Sequence, residues 1–326
     1  MKMSTLGGLF LLLGLCRAPA ADLRILVPLY SYPSWYAPAA YVWDDIAAAG
    51  SLAPITAIIN PNSGPDGGPP NSDYEHGLAE LRAAGVSLLG YVATGYGARP
   101  AAEVKTDIDL YDAYFDVDGI FLDEADNTTN GLAYYADLYA YVHSRSNLHD
   151  VVINPGIGTA EEYITAPAAD TAVIFEVGAG WTNHVTAAYV SNYPPQRFSV
   201  LLYGIADEPA MRAYIDLAVR RNVGYVYVTD DAGANPWDTL PSYWTPLVDY
   251  VAAWRDLGFA LVFTNGVELA LRTLPGHSYQ ISHASNLLGG AWQNLTNGTA
   301  PTAHLSLPDP GAAAAHDRFY HLQILP

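Results

Sequence analysis

The chain has 326 residues, 51% hydrophobic and only 14% charged, with 33 acidic side chains against 14 basic ones and a net charge of −19. That length buries a large core in one or two domains. A surface this acidic, with lysine only at positions 2 and 105, excludes nucleic acid and anionic membranes as partners and attracts cationic ligands such as a polymer carrying free amines.

Residues 1–21 read as a secretory leader. Lys2 supplies the positive start, Leu9 to Leu13 the apolar centre, and Ala18-Pro19-Ala20 a small-residue cleavage site. The apolar run is too short to span a bilayer, and no later stretch is long and apolar enough. Cleavage after Ala20 removes Cys16, the single cysteine, so disulfide and thiolate chemistry are not expected in the mature chain. The expected product is secreted, extracellular or periplasmic, free of the membrane and monomeric.

Leu23 to Tyr30 reads as a first strand, and Trp43 to Ala49 as a helix ended by Gly50. Ile55 to Asn60 is a second strand, followed by a turn-rich stretch to Pro70. Ser72 with Glu75 three residues later forms a capping box for a helix that stops at Gly85. Ser87 to Val92 is a third strand, and Pro100 sits where a helix begins. Gly119-Ile120-Phe121-Leu122-Asp123-Glu124 is a fourth strand with two adjacent acids at its exit, followed by a helix around Tyr134 to Ser144. Val151 to Asn154, Thr171 to Glu176 and Phe198 to Tyr203 are strands five to seven. Pro209 opens a helix with Met211, Ile215, Ala218 and Val219 on one face, the spacing of a helix packed on a sheet. Tyr225 to Asp230 is an eighth strand, and Tyr243 to Leu257 a last helix.

Eight strand-then-helix units in residues 22–258 predict an α/β fold, a closed (β/α)8 barrel. An open doubly wound sheet is the alternative, but the turn after the first strand, Tyr30 to Trp35, lacks a glycine-rich phosphate loop. From 259 to 326 the texture changes to short alternating strands between turns at Pro275-Gly276, Leu288-Gly289-Gly290, Asn297-Gly298 and Pro308 to Gly311. This C-terminal all-β, sandwich-like module binds carbohydrate or serves a capping role, and the capping role is the reading preferred here.

Barrel enzymes work at the C-terminal ends of their strands. Those ends carry Asp123 and Glu124 on strand four, Glu176 on strand six and Asp230 on strand eight, with Asn60, Tyr91, Asn154 and Tyr203 closing others and Tyr30 closing the first. The turns above carry Tyr32, Trp35, Tyr36, Tyr96, Trp181 and Trp237, whose flat faces and polar tips suit sugar rings. Two carboxylates flanking a bond are what glycoside hydrolysis needs, one as acid and the other as nucleophile or base. Glu176, between Phe175 and Val177, is placed to hold a proton, with Asp123 its ionised partner. Glu124 can replace either, but adjacent strand residues point to opposite faces, so Asp123 and Glu124 do not share one position. A solvated acidic loop explains Asp123, Glu124 and Asp126 equally well from the local sequence, and Asp230-Asp231 also reads as a turn or cap. No zinc spacing, nucleophile elbow or phosphate loop occurs, so neither metal nor cofactor is expected.

Several ordered motifs resemble the spherulin-4 (spherulation-specific family 4) family: Ile59-Asn60-Pro61-Asn62-Ser63-Gly64-Pro65, Gly90-Tyr91-Val92-Ala93-Thr94-Gly95-Tyr96-Gly97 with Arg99, Val104 to Ile108, and Val117 to Glu124. The resemblance covers about Ile25 to Val251. It implies kinship with glycoside hydrolase family 135, (β/α)8 enzymes that cleave galactosaminogalactan and need an Asp-Glu pair on strand four and a later Glu. Those positions match Asp123, Glu124 and Glu176. The expected function is that of an endo-α-1,4-galactosaminidase acting on a partly cationic polysaccharide. The alternative is a non-catalytic wall or coat protein that binds polysaccharide through its aromatics.

Overall fold

The computed structural model describes residues 22–178, 180–263, 267–286, 291–312 and 318–325. The leader, with its cleavage site and Cys16, and the turn at 287–290 lie outside the described residues. Among the described residues no helix is long and apolar enough to cross a membrane.

Eight parallel strands close into a barrel in simple sequential order: β1 Arg24–Leu29, β2 Ile55–Ile59, β3 Ser87–Ala93, β4 Gly119–Asp123, β5 Asp150–Ile153, β6 Thr171–Glu176, β7 Phe198–Leu202 and β8 Tyr225–Val228. β1 pairs with β8, which removes both sheet edges. The strands are nearly continuous apolar runs because one side fills the barrel and the other meets helices. Leu26, Thr56, Leu89, Val152, Thr171 and Tyr225 line a small void at the base of the barrel.

The intervening helices are α1 Trp43–Gly50, α2 Ser72–Ala83, α3 Ala101–Tyr114, α4 Leu132–His143, the single turn α5 Glu162–Thr165, α6 Glu208–Arg220 and α7 Trp244–Arg255. On α6 Met211, Ile215 and Ala218 are buried, as their spacing requires, while Val219, read onto the same face, is only half-buried. Two expectations need correction. The cap of α2 is Asn71, whose side chain accepts from the Asp73 and Tyr74 amides, both at 3.1 Å. Ser72 is already helical, because Pro69 and Pro70 lead in an extended chain that ends at Asn71. The sixth unit has no α-helix: β6 and β7 are joined through 3-10 turns at Trp181–Asn183, Ala188–Asn192 and Pro195–Arg197. The intervening sequence, with Gly178, Gly180, the β-branched Val185-Thr186 and Pro194-Pro195, disfavours a continuous helix.

Close packing of the strands leaves no room for a side chain at Gly119, where a Cβ would lie 2.2 Å from the Asp150 carbonyl oxygen. Both groups are strand backbone and cannot move aside. Gly119→Ala is therefore expected to lower stability by about 2–3 kcal/mol, read as a reduced midpoint in urea unfolding.

The chain divides into two compact units, one ending at Ala252 and one starting at Ala253. The second contains two three-stranded antiparallel sheets, built from β9 Gly258–Phe263, β10 Val267–Arg272, β11 Ser278–Ala284, β12 Gln293–Thr299, β13 His304–Asp309 and β14 Phe319–Leu325, in the orders β13-β10-β9 and β12-β11-β14. Leu269 and Leu271 from the first sheet meet Tyr279, Ile281, Tyr320 and Leu322 from the second in one core, so the module is a small sandwich. Its buried acid Asp309 is satisfied by Arg318 and by the Tyr320 hydroxyl at 2.7 Å.

Candidate active site

The carboxylates converge at the C-terminal mouth of the barrel for reasons of strand parity. Leu89 and Val152 line the interior at the base, so two residues on Tyr91 and Asn154 face inward too. Asp123, at the end of β4, meets both. Its Oδ2 accepts from the Tyr91 hydroxyl at 2.7 Å and its Oδ1 from Asn154 Nδ2 at 2.8 Å.

Glu176 reaches the same place only because β6 is irregular. Thr171 lines the base, and Glu176 lies five positions on, an odd step that strict alternation would send to the outer face. Between Val173 and Phe175 the pairing to β7 advances two residues against one, making Ile174 the extra residue of a bulge. The bulge reverses the parity, and Glu176 Oε2 accepts from Asn154 Nδ2 at 2.5 Å. One amide nitrogen thus bridges Asp123 and Glu176. Asn154 is itself buried, and its Oδ1 accepts from the Gly156 amide at 3.0 Å, which fixes the flip of the side chain. Burial pushes the Glu176 carboxyl up to about 7; the Asp123 charge adds to the rise, and the Asn154 hydrogen bond opposes it.

Two tyrosines complete the inner wall. Burial raises the Tyr91 hydroxyl, as does Asp123 beside it, with Glu124 and Glu176 contributing. Tyr30 meets the Tyr91 ring edge-on at 5.6 Å, and burial, then Asp123, raises its hydroxyl as well.

Glu124 is not an extended strand residue. Its φ is +51°, so the alternation that separates it from Asp123 stops there. A non-glycine residue in this left-handed region costs about 1–2 kcal/mol. A clasp from the neighbouring loop holds it. The Glu124 carbonyl accepts from the Tyr96 amide at 2.6 Å and from the Thr94 hydroxyl at 2.8 Å. Thr94 also bonds the buried Tyr135 hydroxyl, which accepts from the Asp126 amide. Tyr96 is left-handed too, between Gly95 and Gly97, and its side chain is exposed. Asp126 accepts from the Thr128 amide and hydroxyl, an Asx turn in its own loop.

The other residues read from the strand ends and turns make contacts of their own. Asn60 Oδ1 accepts from the Gly64 amide and shapes the loop after β2. Tyr203 sits edge-on to Trp237 at 5.6 Å. Tyr32 bonds Asp73 at the start of α2. Asp230 staples β8 to the start of α7, accepting from both the amide and the hydroxyl of Ser242. Trp181 is fully buried, donates to the Tyr214 carbonyl and packs on Phe175 and His184, so it presents no face to a sugar. The strand-end pattern does not single out Thr94 and Tyr135: Thr94 donates to the Asp123 and Glu124 carbonyls and bonds the Tyr135 hydroxyl, and the Thr94-Gly95-Tyr96-Gly97 run is the local signal. Among the described residues no group of three or more His, Cys, Asp or Glu is placed to hold a metal ion.

The spherulation-specific family 4 profile matches residues 24–251, from the first barrel strand into the last barrel helix. The chain belongs to the spherulin-4 family. Spherulin-4 of Physarum polycephalum is 36% identical over 256 residues, covering 72% of this chain and 74% of that protein. The crystal structure of Aspergillus clavatus Sph3 in complex with GalNAc superimposes with a TM-score of 0.61 at 28% identity, over 71% of this chain and 97% of Sph3. This member of the spherulin-4 family therefore shares the glycoside hydrolase-like barrel fold of Sph3.

Proposed function

We propose that the protein is a secreted, endo-acting glycoside hydrolase of an amino-sugar polysaccharide of the galactosaminogalactan type, cleaving α-1,4-galactosaminidic bonds. The observation that carries this reading is the Asp123–Asn154–Glu176 bridge, which pairs a carboxyl held near neutral pH with a second carboxylate across one amide. Likeness to a GalNAc-bound structure supports an amino sugar as the ligand class.

Glu176, protonated below about pH 7, donates its proton to the glycosidic oxygen as that bond breaks. Asp123 attacks the anomeric carbon and forms a glycosyl ester. Glu176, now ionised, takes a proton from water, which attacks the same carbon and releases the sugar from Asp123. The shared nitrogen sets an upper bound of about 5.3 Å, the sum of its two bonds, on the gap between the facing carboxyl oxygens. That spacing supports retention, because inversion needs about 6.5–9.5 Å between the carboxyl groups to admit a water. Glu124, clasped at the mouth, adds negative charge suited to an amine of the bound sugar.

Incubation with galactosaminogalactan should yield shorter chains whose new ends first appear as the α-anomer in proton NMR. Binding without any product would favour the coat-protein alternative, and a β-anomer would overturn the assignment of Asp123 as nucleophile. Asn154→Ala removes the hydrogen bond that holds the Glu176 carboxyl down, so the alkaline limb of the rate profile should move to higher pH. The rate should also fall by about tenfold to a hundredfold as the two carboxyls lose their common anchor, measured as reducing ends released per minute.

A further inference from the structure

A second aromatic feature stands outside this site. Tyr32, Trp35 and Tyr36, in the loop after β1, are 43%, 48% and 63% exposed. Exposed rings of this size, grouped together, mark a surface that meets something. They are also held in place. The Tyr32 hydroxyl donates to Asp73 Oδ2 at 2.7 Å and Trp35 Nε1 to Asp73 Oδ1 at 3.0 Å, so one carboxylate pins both polar tips. Asn71, the cap of α2, also donates to the Tyr32 hydroxyl at 3.1 Å. His76, on the same helix, stacks on Trp35 with ring centroids 5.0 Å apart, and Tyr36 sits edge-on to Trp35 at 6.0 Å. Tying the tips to α2 fixes the rings at little further entropic cost to a ligand.

The charge of the stretch that carries the platform is one-sided. From Ile25 to Leu81 there is no lysine or arginine, whereas Asp44, Asp45, Asp66, Asp73, Glu75 and Glu80 fall in that span. The next base, Arg82, is taken up by Asp118 and Asp116. Aromatic faces in an acidic field favour an ammonium group over a neutral amide. The loop leaves β1 at the mouth that holds Asp123 and Glu176, and Tyr30, two residues before Tyr32, lies against Tyr91.

We propose that Tyr32, Trp35 and Tyr36 form an outlying subsite for hexosamine residues with free amines, which rests on the hydrolase reading only in taking the ligand to be the same polysaccharide. The subsite holds a deacetylated stretch of the chain by ring stacking and by the negative field around Asp73, away from the reacting bond.

The test is calorimetric binding to the Glu176→Gln protein, so that no hydrolysis intervenes and an inactive parent enzyme leaves the readout intact. The probes are a fully deacetylated α-1,4-galactosamine oligosaccharide and its re-acetylated counterpart. The deacetylated probe should bind more tightly, lose affinity with added salt, and lose about tenfold in Kd on Trp35→Ala. Asp73→Asn, which keeps the side chain's shape, should weaken binding at low salt and flatten the salt dependence, and it decides the matter if Trp35→Ala unfolds. Equal affinity for the two probes, or an unchanged Kd in folded Trp35→Ala and Asp73→Asn proteins, would overturn the proposal.

Discussion

Glu176→Gln is expected to slow hydrolysis severely and, in the same protein, to stabilise the fold above about pH 7. Burial raises the Glu176 carboxyl from its ordinary value of 4.5 to about 7, with Asp123 adding to the rise. The folded state therefore holds this proton more tightly than the unfolded chain. The sign follows: the contribution is fully present below about pH 4.5 and is lost as pH climbs through about 7. The loss amounts to about 3 kcal/mol at the upper end. Glutamine carries no charge to desolvate, and its Oε1 still accepts from Asn154, so the variant escapes that loss. Its rate should fall by about 10²–10⁴-fold with the general acid gone. Urea unfolding on both sides of neutrality measures the first effect. A parent and variant with parallel stability profiles would show that Glu176 does not carry its proton into the folded state.

Asp123→Asn is expected to cost about 10⁴-fold or more in rate, the scale of removing a nucleophile. Asparagine offers one acceptor oxygen and a nitrogen with two protons where aspartate offers two acceptors. The Tyr91 hydroxyl and Asn154 Nδ2 both donate to Asp123; with the asparagine oxygen kept on Asn154, the Tyr91 hydroxyl faces an NH2 group, can only accept from it, and loses the acceptor for its own proton. That leaves a buried donor unmet, at about 1–3 kcal/mol of stability. Removing the Asp123 charge also removes one cause of the raised Glu176 carboxyl, so any residual activity should lose its alkaline limb at lower pH. Asn154→Ala should move that limb the other way. Opposite shifts in the two variants are a signature that general misfolding does not produce, and shifts in the same direction would contradict the bridge.

Much of this arrangement was legible in the residues. Thr171 to Glu176 is a strand of the length and composition read from its β-branched run, and Met211, Ile215 and Ala218 are buried as their spacing requires. Local pattern fixes period, and eight repeats of it fix the barrel. What pattern does not carry is parity across an irregularity. Nothing in Val173-Ile174-Phe175 marks Ile174 as a bulge, yet without it Glu176 would face away from Asp123. Partner choice is likewise tertiary. Asn154 reads as one polar strand end among several, and only the closed barrel brings Asp123 and Glu176 to the same nitrogen. Trp181 shows the converse: an aromatic in a loop reads as surface, but Phe175 and His184 bury it. Asp230 reads as a strand-end acid, and its two bonds from Ser242, twelve residues on, are not visible in the local pattern.

The central claim is that Glu176 supplies the proton for cleavage of an amino-sugar polymer. It is tested most directly by following reducing-end release from galactosaminogalactan by the parent protein and by Glu176→Gln as a function of pH. Release by the parent should decline as pH rises through about 7, and release by the variant should be about 10²–10⁴-fold slower below that pH. Equal release by the two proteins, or a parent that binds the polymer and never cuts it, would contradict the account.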